Sequence, residues 1–446
     1  MIRNRDILER DSRHIRLIQL MEYALQVADP YYAVISSLEL RDNSLIVKGR
    51  KTEISGYIHV VGFGKASLRM AEAVYRVLGE RVIGGVVIHP GEPGRVGPIE
   101  VLRGDHPSPS YNTLDSSMRL LDYLESVSKD DALIVLISGG GSALFEVPEE
   151  GISLEDLSLV SKELMRRGAT IHELNTVRKR FSRVKGGKFL RYIKASKIIS
   201  LIISDVVGDD LSVIASGPTT PDYTSFKDAY RVLARRGLLE IVPPSIKEFF
   251  EKGLKGLIED TLKPSHPVFE RVENYIILSN QIVLQRLQEH LENTMYNTLI
   301  LTSMLEGEAR EAGRVLASII KNIHVYDKPV KKPAALLAGG ETVVTVRGEG
   351  VGGRNQELCL SLALSLRTLP NVTAACLATD GVDGVSPAAG AIVDGYTVDE
   401  ALREGLDPWS SLENNDSYGF FSRINRAIIT GYTGTNVNDI FLALIE

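Results

Sequence analysis

Residues 133–142 read Leu-Ile-Val-Leu-Ile-Ser-Gly-Gly-Gly-Ser, an apolar run that ends directly in three glycines. Five apolar residues without alternation predict a strand buried on both faces, which is typical of a parallel sheet covered by helices. Comparable runs recur between helical stretches at Ile58–Val61, Val86–His89, Ile198–Ile203, Ile276–Leu278, Leu299–Leu301, Val343–Val346 and Ala374–Leu377. The sequence therefore predicts an α/β fold with a mostly parallel sheet.

The length of the chain predicts more than one domain. A chain of 446 residues exceeds the usual size of a single domain. Pro243-Pro244 interrupts the middle of the sequence, and a second series of strands and helices begins after about residue 260. We therefore predict a first lobe over residues 1–250 and a second lobe over residues 251–446, whose terminal segment can pack back on the first lobe.

The composition excludes several classes of protein. There are 51 Lys and Arg against 57 Asp and Glu, 44% hydrophobic residues, and no apolar run near the roughly 18 residues that a membrane span needs. A disordered chain, a membrane protein and a nucleic-acid-binding surface rich in clustered Lys and Arg are thereby disfavoured. Cys359 and Cys376 lie in apolar segments and are predicted to be core residues in a reducing, cytoplasmic protein.

A second glycine turn follows an earlier strand, in the segment Val60–Ser67. Gly62 and Gly64 let a backbone approach a phosphate, and Lys65 adds a positive charge where a helix begins. The segment is not a Walker A loop, because His59 stands where the first glycine belongs, and Ser67 replaces the third glycine of a dinucleotide fingerprint. The alternative interpretation is a tight strand-to-helix turn with a solvated lysine.

Two further segments combine charge with a position next to a strand. The stretch from Asn175 through Arg178 to Lys185 is basic and glycine-containing, so it suits either an anionic group or a solvated helix face. Asp205 follows a strand directly and Asp209 comes shortly after it. A carboxylate at such a strand end can take a proton, hold a divalent cation, or cap a helix.

The second half of the chain supplies its own polar turns. Arg354 follows a glycine run and would open a helix, a position from which its planar fork could hold phosphate or carboxylate. Glu341 follows Gly339-Gly340, and the remaining polar residues at strand ends are Asp380, Asp383, Asn436 and Asn438. Glycine loops, cations and strand-end aspartates together favour phosphoryl transfer.

Other chemistries lack their motifs. The chain contains no G-x-S-x-G elbow, no H-E-x-x-H and no C-x-x-C pair, so serine-hydrolase and zinc sites are disfavoured. The eight histidines are interpreted as structural or surface residues. His106 is the exception that merits attention, because it stands in the proline-rich turn Asp105–Pro109.

Eight segments in order resemble the glycerate kinase family that carries the MOFRL domain and phosphorylates glycerate at the 2-position. They are Val61–Ser67, Ser138–Leu144, Asn175–Lys179, Ser204–Asp209, Gly339–Thr342, Gly352–Glu357, Thr379–Gly384 and Thr433–Asp439. The resemblance implies an N-terminal Rossmann-like α/β/α lobe, a smaller C-terminal α/β lobe, and an active site in the cleft between them. It also implies that Lys65 and Arg354 face each other across that cleft.

By this resemblance the chain is expected to use ATP and Mg²⁺ or another divalent cation to make 2-phosphoglycerate from D-glycerate. Lys65 and Arg354 would bind the substrate carboxylate or the transferring phosphoryl group, and Asp205 would be the base. Asp209, Asp380 and Asp383 are the metal candidates. The residues predicted to bind nucleotide or phosphate are Gly62, Gly64, Gly139, Gly140, Gly141, Ser142, Asn175, Arg178, Lys185, Glu341, Asn436 and Asn438.

Two other functions stay open from the sequence alone. One is a hydroxypyruvate reductase with a nicotinamide cofactor, which the incomplete fingerprint at Gly62-Phe63-Gly64 argues against. The other is a non-catalytic sensor of sugar acids or nucleotides. The expected setting is a cytoplasmic homodimer with small-molecule substrates and without nucleic-acid or membrane partners.

Overall fold

The secondary structure is that of an α/β protein with strands and helices along the whole chain. The computed structural model describes all 446 residues. Its strands are β1 (Leu38–Arg41), β2 (Ser44–Val47), β3 (Arg50–Glu53), β4 (Ile58–Phe63), β5 (Val82–His89), β6 (Gly94–Val96), β7 (Ile99–Arg103), β8 (Ala132–Ile137), β9 (Lys197–Ile203), β10 (Val272–Leu278), β11 (Asn297–Leu305), β12 (Ala334–Gly340), β13 (Val372–Ala378), β14 (Gly390–Asp394), β15 (Ala427–Ile428) and β16 (Asp439–Ile445).

The α-helices alternate with these strands over most of the chain. They are α1 (Arg5–Leu8), α2 (Ser12–Val27), α3 (Pro30–Ser37), α4 (Ser67–Leu78), α5 (Tyr111–Leu124), α6 (Gly141–Leu144), α7 (Leu154–Arg166), α8 (Ile171–Phe181), α9 (Phe226–Arg235), α10 (Pro244–Leu254), α11 (Asn280–Leu291), α12 (Ala309–Tyr326), α13 (Arg354–Leu366), α14 (Thr397–Arg403), α15 (Pro408–Glu413) and α16 (Ser417–Arg423). No helix combines the length and the apolar character that crossing a membrane requires.

The chain divides into two units that differ from the predicted lobes. The parallel-sheet unit is Ala33–Ile277, and the mixed-sheet unit is Met1–Tyr32 together with Leu278–Glu446. The predicted boundary at residues 250/251 falls before β10, which extends the parallel sheet beside β9. The first 32 residues were predicted with the first lobe, but α2 packs against β13 and β16 of the mixed-sheet unit.

The parallel-sheet unit is built on a seven-stranded sheet in the order β10-β9-β8-β4-β5-β7-β6. The neighbours β9, β8, β4, β5 and β7 run parallel, and β6 pairs antiparallel with β7 at one edge. Every residue of β4 and β8 is buried, as expected for central strands covered on both faces. The predicted α/β fold with a mostly parallel sheet is confirmed.

A cluster of phenylalanines packs on this sheet near the ends of its central strands. The rings of Phe63 and Phe145 stack with centroids 4.3 Å apart, and Phe189 meets both rings edge-on. Stacked and edge-to-face contacts of this kind add to the stabilisation that burial alone provides. They fix the ends of β4 and α6, which lie next to the two glycine turns.

The mixed-sheet unit is built on six strands in the order β11-β12-β16-β13-β14-β15. Only β11 and β12 are parallel, and the C-terminal strand β16 lies between β12 and β13, antiparallel to both. The terminal segment is therefore part of this sheet. Cys359 and Cys376 are buried and free, as predicted.

One predicted strand of the second half is wrong. Val343–Val346 forms no strand and makes a single bridge, between Val343 and Glu308. The strand lies just before it, in β12, whose sequence Ala-Ala-Leu-Leu-Ala-Gly-Gly is poor in the β-branched residues that signal a strand. Pairing on both sides, with β11 and β16, compensates for this weak propensity.

Candidate active site

The two glycine turns of the parallel-sheet unit are bound to each other. Because β4 and β8 are parallel neighbours, their carboxyl ends meet at one edge of the sheet. The backbone N–H of Lys65 donates to the carbonyl of Gly139 at 2.9 Å, and the N–H of Ala66 donates to Ser138 Oγ at 3.0 Å. Gly64 has φ +131°, and a Cβ there would collide with Ser138, so only glycine fits.

Three chemically versatile side chains surround the glycine loop Ser138–Ser142. The carboxylate of Asp205 lies so close to Gly139 that a Cβ on that glycine would overlap it. A Cβ on Gly140 would lie 2.9 Å from His106 Cδ2 and 3.2 Å from Lys65 Cγ. A cation, an imidazole and a carboxylate therefore line one small loop, and we call Lys65, His106 and Asp205 the loop cluster.

His106 belongs to this cluster although the predicted site residues did not include it. Its backbone segment is anchored where Asp105 N–H donates to Thr113 Oγ1 at 2.9 Å. Burial and the neighbouring Lys65 ammonium both lower the pKa of the His106 imidazole. The imidazole is consequently neutral at neutral pH, since its ordinary pKa is about 6.5.

We expect the Lys65→Met substitution to raise the pKa of His106. The substitution removes the positive charge that disfavours the imidazolium, while burial of the ring still keeps the pKa below its ordinary value. The measurement is an NMR titration of ¹⁵N-labelled histidine, with the resonance assigned through His106→Gln. An identical titration curve in wild type and Lys65→Met would contradict the proximity of the two side chains.

A set of polar residues forms hydrogen bonds that hold the glycine loop in position. Ser142 Oγ and Ser216 Oγ are 2.8 Å apart, and Ser216 donates to Asn175 Oδ1 at 2.7 Å. Arg178 Nη2 donates to the Ser142 carbonyl at 3.2 Å, and burial lowers the pKa of this guanidinium. Asn175 and Arg178 therefore fix the position of the loop. Ser216 was not predicted as a site residue, although the Ser216–Thr219 segment is the kind of small, polar turn that could have indicated it.

Two of the predicted phosphate ligands are structural residues. Lys185 is 1% exposed, and its Nζ donates to Glu146 Oε2 at 2.6 Å and to the Phe145 carbonyl at 3.0 Å. Burial lowers its pKa to about 8, and with its ammonium committed to these oxygens it does not present a donor to a ligand. Gly62 is the fifth residue of β4, where a Cβ would press on Leu136. Its role is close packing between strands and not contact with phosphate.

Arg354 begins α13 in the mixed-sheet unit, as predicted, and is held by two carboxylates. Its Nε and Nη2 donate to Asp439 at 2.6 and 3.2 Å, and its Nη1 donates to Glu341 at 2.6 Å. Burial opposes the charged guanidinium, but Asp439 and Glu341 outweigh it and raise the pKa of Arg354. Three of the five N–H bonds are used, so two remain for a ligand.

Asp439 is a residue that the prediction missed. It is the last residue of the Thr433–Asp439 segment and the first of β16, so its position at a strand end was the available signal. Burial raises the pKa of its carboxyl group to about 7, against the opposing effect of Arg354. Asp439 thus orients the guanidinium of Arg354 from inside the protein.

The metal prediction for Asp383 is wrong. This residue is buried, and its two carboxylate oxygens accept four hydrogen bonds from the backbone and side chains of Asn355 and Gln356, at 2.8–3.2 Å. It therefore caps the N-terminus of α13 and holds no free lone pair for a cation. No group of three or more His, Cys, Asp or Glu side chains is arranged to hold a metal ion.

The other predicted metal ligands lie in turns. Asp380 accepts from the N–H of Val382 at 3.1 Å in the mixed-sheet unit. Asp209 has φ +57° in a turn of the parallel-sheet unit. Each could contribute one carboxylate, which is what Mg²⁺ requires when phosphates and waters supply its remaining ligands.

The C-terminal asparagines shape a rigid loop beside Arg354. Asn438 is buried with φ +64°, its N–H donates to Asn436 Oδ1 at 3.0 Å, and its carbonyl accepts from the Thr379 hydroxyl at 2.7 Å. Asn280 Nδ2 also donates to the Val437 and Asp439 carbonyls at 2.9 and 2.8 Å. Asn438 is thus a backbone element of the loop, while Asn436 reaches the adjacent cavity.

A cavity of about 640 Å³ opens in the mixed-sheet unit above Arg354. Its polar residues are Glu341, Arg354, Glu357, Asp380, Asn415 and Asn436, and valines form much of the remaining wall. This volume lies within the range of small-molecule binding sites, which combine apolar walls with a few polar groups. Of the predicted site residues, the cavity brings together Glu341, Arg354, Asp380 and Asn436.

Comparisons with known proteins give a consistent result. A family model described as a domain of unknown function, DUF4147, matches residues 16–251, and the MOFRL family model matches residues 334–439. A glycerate 2-kinase of Pyrococcus horikoshii is 42% identical over 98% of each chain. A protein of Agrobacterium vitis that carries the provisional name of a hydroxypyruvate reductase is 37% identical over 96% of this chain and 94% of its own. The crystal structure of a glycerate kinase from Thermotoga maritima matches with a TM-score of 0.85 at 39% identity, over 96% of this chain and 98% of that one.

Proposed function

The chain belongs to the glycerate kinase family that carries the MOFRL domain, and on this premise we propose that it transfers the γ-phosphoryl group of ATP to the 2-hydroxyl group of D-glycerate. The observation that carries the proposal is the loop cluster, in which Asp205 lies against Gly139 and Lys65 lies against Gly140. At such a loop the cation can bind the negative charge of the acceptor, and the carboxylate can orient its hydroxyl group.

The proposed reaction needs positioning and charge neutralisation more than strong deprotonation. The 2-hydroxyl oxygen bonds to the γ-phosphorus, the bond from that phosphorus to the β,γ-bridging oxygen breaks, and ADP leaves. Asp205 orients the hydroxyl group and takes its proton. Lys65 stabilises the negative charge of the transferring group or the carboxylate, and the backbone N–H groups of Gly139 and Gly140 hold anionic oxygens. The N–H of Gly141 donates to the Ser138 carbonyl at 3.1 Å, so Gly141 shapes the loop.

Arg354 is the second cation that we assign to the reaction. Its two uncommitted N–H bonds serve an anionic group of glycerate or ATP, while Asp439 and Glu341 hold the guanidinium plane in one orientation. Ser142 of the glycine loop and Asn436 of the C-terminal loop complete the proposed phosphate and nucleotide contacts. The Gly64 turn positions Lys65, because its own N–H groups donate within the protein, and Asn438 shapes the loop that carries Asn436. Asn175 and Arg178 act through the loop they brace.

ATP as donor follows from kinase activity, and we propose that it reacts as its Mg²⁺ complex. The ion would be held mainly by phosphate oxygens and water, with Asp209 and Asp380 as the candidate carboxylates. Cytoplasmic location and a homodimeric state stay predictions.

The reductase alternative has less support in this chain. Gly62 lies within β4, so only Gly64 of the Gly62-Phe63-Gly64 sequence is in the turn, and Ser67 stands at the third glycine position of the fingerprint. Fluorescence titration with NADH tests this alternative, and tight binding would revive it. A sensor would instead be stabilised against heat by glycerate or ATP without releasing ADP.

We expect D-glycerate, ATP and Mg²⁺ to yield a product that enolase converts directly to phosphoenolpyruvate. Enolase accepts the 2-phosphate, so no phosphoglycerate mutase is needed if the 2-hydroxyl group is phosphorylated. The measurement is phosphoenolpyruvate formation with and without added mutase, and L-glycerate is the control acceptor. If phosphoenolpyruvate forms only when mutase is added, the enzyme phosphorylates the 3-hydroxyl group. If D-glycerate causes no release of ADP, the protein is not a glycerate kinase.

A further inference from the structure

The cavity of the mixed-sheet unit has unusually exposed apolar walls. Val346 is 73% exposed and Val385 is 82% exposed, and both line the cavity from separate segments of chain. Val343 and Val382 extend the same two walls. Valine side chains concentrated at the mouth of a cavity indicate a binding surface for an apolar group.

The backbone holds these valines in place. Val343 N–H donates to the Gly307 carbonyl at 2.9 Å, and the Thr345 hydroxyl donates to Glu308 at 2.9 Å. On the opposite wall, Val385 N–H donates to the Gly352 carbonyl at 3.2 Å. Asp383 ties this second segment to the start of α13. The cavity is therefore preformed by hydrogen bonds and does not depend on a ligand to shape it.

The floor of the cavity is polar and carries an excess of negative charge. Arg354 is paired with Asp439 and also contacts Glu341, and Asp380 adds a further carboxylate. Glycerate is a small, polar anion that fits neither valine walls nor a carboxylate-rich floor. A triphosphate group meets the same repulsion except beside Arg354, the one cation of the lining. Hydroxyl groups, in contrast, are good donors to carboxylates.

We propose that this cavity binds the nucleoside portion of the phosphoryl donor, an inference that rests on the proposed kinase function. The base lies between the wall of Val343 and Val346 and the wall of Val382 and Val385. The ribose hydroxyl groups donate to Glu341, as they do to acidic residues in dinucleotide sites. The phosphates lie against the two uncommitted N–H donors of Arg354, the one cation that lines the cavity, and glycerate binds outside the cavity.

The test uses the full-length protein with Val346→Asp and Val385→Asp. Both side chains are mostly exposed, so neither substitution disturbs the core. Each substitution changes a different wall of the cavity, so the two walls are tested separately. We expect each variant to raise the Kd for ADP and the KM for ATP by at least about tenfold, because a charge replaces an apolar contact. The KM for glycerate and the inhibition constant for tripolyphosphate should stay within about twofold of wild type. Val315→Asp, at a 58% exposed site on α12, is the matched control.

The outcomes separate this inference from the proposed function. Unchanged ADP affinity in both variants would overturn the nucleoside assignment, even if the wild-type enzyme phosphorylates glycerate. If only the KM for glycerate rises, the cavity binds glycerate, and the nucleoside assignment is also wrong. If the wild type forms no glycerate-dependent ADP, the kinase proposal fails, and ADP titration by calorimetry still decides whether the valine walls bind a nucleoside. Thermal unfolding of each variant confirms that it is folded.

Discussion

We expect Lys65→Met to lower kcat for glycerate phosphorylation by about a thousandfold, which is the loss typical of removing one cation from a phosphoryl-transfer site. Lys65 is exposed at the glycine loop and its ammonium lies on a flexible stem, so methionine keeps the length and removes only the charge. The turn itself should persist, because the backbone bond from Lys65 to Gly139 does not involve the side chain.

Steady-state kinetics with a matched control decide this prediction. Lys162→Met alters an exposed lysine on α7 and should leave kcat and both KM values unchanged. Arg354→Met is measured in parallel, because the cation that binds the carboxylate mainly sets the KM for glycerate, while the one on the transferring group mainly sets kcat. If Lys65→Met retains a kcat close to that of the wild type, the loop cluster does not take part in the reaction.

The sequence predicted the parallel sheet because the signal is local. Strands such as β8 are continuous apolar runs, and such runs are stable only when both faces are covered. The two glycine turns meet because β4 and β8 are parallel neighbours, a pairing that the sequence did not predict. Arg354 was correctly placed at a helix start because a glycine run precedes it.

The failures have a different physical origin. Lys185 and Asp383 were interpreted by residue type, but their roles depend on partners that are distant in the sequence, Glu146 for one and the start of α13 for the other. The strand β12 was missed because alanine and glycine carry little strand propensity, and its two neighbours in the sheet determine its conformation. Similarly, no local feature of α2 reveals that it packs on β16.

His106 shows the limit of reasoning about single residues. The proline-rich turn distinguished His106 from the other histidines, but only the fold shows that it lies against Gly140 and Lys65. The chemistry of the loop cluster therefore depends on three turns that are far apart in the sequence. Each turn was visible in the sequence, but the lowered pKa of the imidazole follows only from their arrangement.

We expect Lys185→Met to lower the free energy of unfolding by about 3–5 kcal/mol, because it leaves the buried Glu146 carboxylate without its cation. Both side chains are at most 3% exposed, so water cannot replace the lost ion pair. Urea unfolding followed by circular dichroism measures the change. The KM for ATP of the folded fraction should stay near the wild-type value, since the ammonium does not reach a ligand.

The double variant Glu146→Gln with Lys185→Met separates a structural ion pair from a phosphate ligand. Removing both charges abolishes the unpaired carboxylate, so the double variant should recover at least half of the lost stability. Full recovery is not expected, because Glu146 also stabilises the buried guanidinium of Arg178. If Lys185 instead binds phosphate, the single variant will be nearly as stable as wild type and will bind ATP much more weakly. That pattern would restore the interpretation that its basic, glycine-rich sequence first indicated.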